Sequence, residues 1–172
     1  MGRYLPFTLR TSPDVGHEAI ARRRAGLIKK VPMLVRLLYV SRAVGPQTTF
    51  VTGSILSSAK VHNASHDISG VLCQGQGLYL QVLEGERAAV NQLYARIMAD
   101  PRHRDVEMLH LEEITQRRFK AWAMAHVDLS EHDPMIRMKH PEFDPYSASG
   151  AIAMQLMDDL LSSGQPVSFP LA

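Results

Sequence analysis

Two apolar runs, Ile68 to Cys73 and Leu78 to Leu83, face each other across Gly75-Gln76-Gly77, and no other stretch restricts the fold as tightly. The glycines supply the positive φ angles that a tight turn needs, so the runs are expected to pair as a β-hairpin. One residue breaks the second run, Leu-Tyr-Leu-Gln-Val-Leu: it is Gln81. Burying a carboxamide without a partner costs roughly 2–7 kcal/mol, depending on the reference state. Gln81 must therefore sit on an exposed edge or touch something polar inside the protein. Asn63, at the end of the helical stretch before the hairpin, raises the same requirement.

The flanking sequence gives the hairpin its setting. Met33 to Ser41, Met-Leu-Val-Arg-Leu-Leu-Tyr-Val-Ser, is apolar enough for a central strand. After Gly45-Pro46, Thr48 to His62 predicts a helix whose stripe carries Phe50, Val51, Ile55, Leu56, Ala59 and His62. Arg87 to Ala99 predicts a second helix with Ala89, Val90, Leu93, Ile97 and Met98 on one face, stopped by Asp100-Pro101. Val106–Ile114 and Phe119–Val127 are two more strand candidates, and alternation in the second puts Trp122 and Met124 on the same face. The order βαββαββ predicts an α+β, ferredoxin-like mixed sheet with two helices packed on one face. Asp133 to Ser149, with Pro134, Pro141 and Pro145, reads as loop. Ile152 to Leu161 predicts an amphipathic helix that caps the other face.

Charge divides the chain. Residues 1–32 hold seven Lys or Arg against Asp14 and Glu18, a net +5, which leaves −3 for the rest of a chain whose total is +2. We therefore expect a basic N-terminal extension (1–32), a folded domain (33–130), and a loop with its capping helix (131–172). Glu18 to Lys30 allows a weak basic amphipathic helix, suited to a tail, a docking element or a membrane surface. A nucleic-acid module would carry its basic excess on the folded domain, which here is slightly acidic. Cys73 is the single cysteine, so no internal disulfide forms, and a reducing compartment is the simplest setting. No run approaches the roughly 18 apolar residues of a membrane span, and the N-terminus lacks a secretory core. The expectation is a cytoplasmic protein.

Patterns of conventional catalysis are missing, and the chain is not expected to be an enzyme. Gln74-Gly-Gln-Gly77 has no following helix or Lys-Ser/Thr, so it is a turn and not a phosphate loop. His62 and His66 have the spacing of a metal pair, but no cysteine or carboxylate cluster completes a ligand set. Cys73 in a strand reads as a small hydrophobe. What remains is Tyr39 on the first strand, Asn63 at a helix end, Gln81 on the hairpin, and Trp122 with Met124 on the last strand. Each has an ordinary structural explanation when taken alone. Taken together they outline a pocket of a phenol and two carboxamides, which complements a flat, uncharged, amide-rich ring.

Leu-Leu-Tyr39-Val-Ser41, His62-Asn63, Ile68-Ser-Gly-Val-Leu72, Leu80-Gln81-Val-Leu-Glu-Gly85, Asp100-Pro-Arg-His103 and Arg118-Phe-Lys-Ala-Trp122-Ala-Met124 resemble BLUF domains, the blue-light sensors that use FAD. The resemblance runs from about Met33 to Ser130, and the short tail is similar to that of stand-alone members, which end in capping helices. It implies an FAD cofactor, with FMN as the variant sharing its ring, held between the two helices. Asn63 would bond the ring's C4 carbonyl and N3 edge, with His62 and Arg96 near its carbonyls. Asp100, Arg102 and His103 would lie at the pocket's outer wall or the cofactor tail. Tyr39 would donate an electron and then a proton, and Gln81 would bridge its hydroxyl to the flavin N5 and O4. A rotated or tautomerised Gln81 amide would shift absorption to the red, sensed by Ser41, Trp122 and Met124. Either Trp122 or Met124 could occupy the pocket. Output would pass through the last strand and the terminal helix to a downstream signalling protein, and a homo-oligomer is expected.

Competing classes need features of their own. A single-strand RNA binder needs exposed aromatics on the sheet and a basic groove, and Tyr39 and Tyr79 are thin support. An acyl-phosphate hydrolase needs an arginine-bearing loop after the first strand, which Ser41-Arg42-Ala-Val-Gly45 faintly allows. The main alternative is a flavin-free ferredoxin-like interaction module, which has no use for both Tyr39 and Gln81.

Overall fold

The computed structural model describes residues 32–128, 144–163 and 167–170. The basic extension, its helix at Glu18–Lys30, and Pro134 and Pro141 lie outside the described residues, as does the side chain of Trp122. In chain order the elements are β1 (Leu34–Ala43), α1 (Thr49–Ser65), β2 (Ser69–Gly75), β3 (Leu78–Glu86), α2 (Arg87–Met98), β4 (His103–Ile114), β5 (Trp122–Asp128), α3 (Gly150–Ser163) and β6 (Val167–Pro170). They form the α+β ferredoxin-like arrangement read from the sequence, a mixed sheet in the order β4-β1-β3-β2-β5-β6.

The hairpin is tighter than the apolar runs alone imply. β2 continues to Gly75, which pairs with Leu78, so the turn itself is only Gln76-Gly77. Both turn residues have positive φ, 53° and 75°, the conformation whose twist matches the flanking strands. β3 then pairs with β1 on its other side, with Gln81 opposite Tyr39. β5 joins β2 in parallel, with Val71 opposite Ala125.

Alternation along these strands makes two cores. Leu38, Val40, Val71, Cys73, Leu80 and Val82 face α3, which covers them with Ala153, Leu156, Met157 and Leu160. On the opposite face Val35, Leu37, Tyr39, Leu72, Tyr79 and Leu83 meet α1 and α2 through Leu56, Val90 and Tyr94. Cys73 is buried with its Sγ 3.4 Å from Met157 Sδ, and burial pushes the thiol up to about 12. It is inert packing at neutral pH.

Several sequence expectations change in detail. Phe50 does not join the α1 stripe and is 86% exposed, while Thr52, Leu56 and Asn63 are buried. The inward position is taken by Thr52 because its hydroxyl accepts a hydrogen bond from Gln74 Nε2 at 2.6 Å. Met98 is half-exposed at the end of α2, whose buried residues are Val90 and Tyr94. Phe119 does not open β5. It lies before the strand, buried, with its N–H donating to Glu84 Oε2 at 2.9 Å. β6 was not anticipated, since four residues ending in proline carry little alternation.

Glu84 has no exposed surface, and its Oε1 also accepts from Arg36 Nε at 2.7 Å. Arg36 reaches on to Glu112 at 2.6 Å, tying β3, β1 and β4 together. Removing the carboxylate would leave a largely buried guanidinium half-paired and the Phe119 N–H without its acceptor. Glu84→Ala is expected to cost about 3 kcal/mol of stability, measured as a shift in the urea unfolding midpoint at constant slope. A loss within experimental error would show that the pair is not a stabilising contact.

Candidate functional site

Between α1, α2 and the sheet lies a cavity of about 250 Å³. Its lining brings together eight of the nine residues named from the sequence as cofactor contacts: Tyr39, His62, Asn63, Gln81, Arg96, Asp100, Arg102 and His103. Ser41 stands outside the lining, its Oγ 2.7 Å from His103 Nδ1. Met124 is buried and lines the cavity.

Strand register sets the centre of the site. Tyr39 and Gln81 are opposed on β1 and β3 with both side chains on the helix-facing side, so the phenol O–H donates to Gln81 Oε1. Gln81 Nε2 donates to Met124 Sδ at 3.3 Å. Tyr39 packs against the Tyr94 ring, with centroids 5.6 Å apart. Burial pushes the Tyr39 phenol far above its ordinary value, with smaller contributions from Tyr94, Tyr79 and Asp100. The group is a protonated phenol whose proton is already aimed at an amide oxygen.

Gln81 has two ways to satisfy its tyrosine. A phenol both donates and accepts, so either end of the amide suits Tyr39. The thioether is a weak acceptor. Met124 therefore selects the orientation with the NH₂ toward β5.

Asn63 shows what the cavity lacks from the protein itself. Its Nδ2 donates to the Ala123 carbonyl at 2.9 Å, which fixes the amide's orientation. The opposite atom, Oδ1, is buried without a hydrogen-bond partner among the described residues. A buried acceptor of this kind calls for a donor. The edge of a flat ring bearing an N–H beside a carbonyl supplies one, so the donor set fits an isoalloxazine.

The charged wall has two halves. Arg102 binds Asp100 through Nη2–Oδ2 at 2.6 Å and Nε–Oδ1 at 2.9 Å, and these bonds hold the Asp100 carboxyl below its usual range. Arg96 Nη1 lies 3.2 Å from His62 Nε2. His62 is held below the ordinary imidazole value by burial first, and then by His66 and Arg96. His62 and His66 stack with ring centroids 4.1 Å apart. Among the described residues no group of three His, Cys, Asp or Glu could hold a metal.

Sequence reading missed Ile55, Ser58, Ala59, Leu72, Tyr79, Leu93 and Ile97 as lining residues. Leu72 pairs with Gln81 because the turn is only Gln76-Gly77, a register that a three-residue Gly75–Gly77 turn does not give. The helix positions depend on rotational phase, which an ambiguous apolar stripe does not fix.

A mixed sheet with two helices over one face encloses a pocket whose phenol and amides suit a flavin ring. The family described as sensors of blue-light using FAD matches residues 34–125, and the chain belongs to this BLUF family. Among its relatives, photoactivated adenylate cyclase subunit beta of Euglena gracilis is 37% identical over 92 residues, covering 53% of this chain and 11% of that protein. The dark-state structure of BlrB, a BLUF protein, is 30% identical with a TM-score of 0.65, covering 77% of this chain and 97% of that one. A bacterial light-regulated adenylyl cyclase is 31% identical with a TM-score of 0.60, covering 74% of this chain and 34% of that one. The chain thus spans about a tenth of the curated relative and a third of the bacterial cyclase chain. BLUF domains are the sensing parts of such proteins. Among the described residues no helix is long and apolar enough to cross a membrane.

His103 supplies a pH test of this geometry. Burial lowers its proton affinity, Asp100 partly restores it, and Arg102 lowers it further. The unfolded chain therefore binds the proton more readily than the folded one, so stability is full above the ordinary imidazole value near 6.5 and falls as pH drops through and below it. His103 resonances should titrate below that value. Titration at or above it would contradict the burial and contacts described.

Proposed function

We propose that this chain is a blue-light photosensor holding FAD, or the same ring carried on FMN, between α1 and α2, with Tyr39 as photochemical donor and Gln81 as the switch. The observation that carries the reading is the buried chain Tyr39 O–H to Gln81 Oε1 and Gln81 Nε2 to Met124 Sδ at the cavity wall. Asn63 Oδ1 would accept from the ring's imide N–H, while His62, Arg96, Asp100 and Arg102 would border its edge. Ser41 contributes by holding His103. When bound, the flavin supplies blue-light absorption and an excited state that accepts an electron.

Tyr39 would be the donor of that electron and would release its hydroxyl proton with it, because a cationic phenol buried away from water is costly. Gln81 Oε1 is the acceptor already in contact. Once Tyr39 had regained both, the Gln81 amide would be left rotated or tautomerised. Rotation turns Oε1 toward Met124 Sδ, acceptor against acceptor, and the contact to β5 is lost.

Met124 lies in the strand whose Ala123 carbonyl holds Asn63. The segment before that strand carries Arg118, ion-paired with Asp158 of α3. A change at Gln81 therefore reaches α3 through β5, and α3 or the surface it covers presents the signal to a downstream protein or a second copy. A switch can bias only an element whose two states differ in contacts, and the Gln81–Met124 contact would be that difference, with the Arg118–Asp158 pair as its link to α3. The cyclase relatives are the precedent for an effector, and this chain is assigned the sensing role.

Gln81→Leu should keep bound flavin but lose the light-induced red shift, read from light-minus-dark spectra. A shift of wild-type size in that variant would contradict the assignment. Tyr39→Phe should abolish the ordinary photocycle, and a preserved cycle would clear Tyr39 of the donor role. For output, hydrogen exchange in α3 should differ between light and dark in the wild type, and the difference should shrink in Arg118→Gln. An unaltered difference would remove the Arg118–Asp158 pair from the route.

A further inference from the structure

We infer that Arg117 is a positioning residue for Asn63, acting through Asp67. The inference rests on the flavin-site reading for its consequence, and on the geometry of one helix end for its mechanism.

α1 ends in a Schellman turn: Ile68 N–H donates to Asn63 O at 2.9 Å, and Asp67 N–H to Ala64 O at 3.4 Å. Asp67 occupies the left-handed position, with φ 51°, where glycine is the usual residue. A carboxylate side chain there is locally unfavourable, and it is gripped from outside the helix. Arg117 Nη1 donates to the Asp67 carbonyl at 2.7 Å, and Nη2 to both carboxylate oxygens at 2.8 and 2.7 Å. The Arg117 side chain is only 10% exposed although Asp67 is 82% exposed, so the guanidinium is set into the protein and the carboxylate reaches over it.

These contacts close a ring. Asn63 starts the turn and donates its side-chain amide to Ala123 O. Asp67 ends the turn and binds Arg117, six positions before Ala123 in the segment leading to β5. The same turn is therefore tied to the same segment at both ends. Arg117 sets how the last turn of α1 lies against β5, and with it the direction of the uncommitted Asn63 Oδ1. Among the described residues that atom faces no protein donor, so its aim depends on the turn and on the Ala123 contact that hold Asn63.

The test uses the full chain, without cofactor and after loading with FAD, in Arg117→Gln and Asp67→Gly. Glycine suits the left-handed φ, so Asp67→Gly removes the two carboxylate bonds to Arg117 while keeping the helix end and the bond to the residue-67 carbonyl. In both variants the side-chain amide resonance of Asn63 should move in the cofactor-free protein. FAD affinity should drop on the order of fivefold to tenfold, as loss of about one hydrogen bond implies, with a displaced flavin absorption band. An Asn63 resonance that stays in place in either variant overturns the proposal, whatever the flavin does. If the wild-type chain takes up no FAD, the sensor reading fails, while the resonance comparison still decides the role of Arg117.

Discussion

The structure depends on one cross-strand pair. Tyr39 and Gln81 oppose each other because β1 and β3 pair antiparallel in a single register, and a slip of one residue in either strand would send that strand's polar side chain to the α3 face. Leu38, Val40, Leu80 and Val82, which pack under α3, prevent that slip. The apolar core beneath the sheet thus sets the polar contact above it. The same alternation places Leu72 beside Gln81 and Met124 beyond it, so the amide reaches across β2 to β5.

Polarity at the site is uneven in a useful way. Arg102 is matched by Asp100, and His103 by Ser41. Tyr39 and Gln81 satisfy each other, yet Gln81 could do so with either end of its amide. Asn63 is half satisfied, its nitrogen on Ala123 and its oxygen uncommitted among the described residues. Buried polar groups left short of partners are costly, so such a site favours a ligand that completes Asn63 and biases Gln81. The Glu84 carboxylate, with Arg36 and the Phe119 N–H, braces the other face and fixes the start of the segment that leads to β5.

Much of the fold was legible because the central strands are apolar runs and the hairpin turn is marked by glycine. Tyr39 and Gln81 stood out as polar groups inside apolar runs, a signal that needs no tertiary information. The phase of α1 was not legible, since Phe50 and Thr52 lie two residues apart and only the Gln74 partner decides which turns inward. Nor was the grip of Arg117 on Asp67, which spans 50 residues and leaves no local pattern. Met124 as a wall of the cavity follows from β5 lying beside β2, a parallel pairing that alternation alone does not specify. The residues most easily read were those that violate their surroundings, and the residues missed were those that obey them.

The most direct measurement is the absorption spectrum of the purified, FAD-loaded wild-type chain in the dark and after blue illumination. The account predicts structured flavin bands that move slightly to the red in light and return in darkness. A folded protein that takes up no flavin, or that binds it without any light-induced shift, would contradict it.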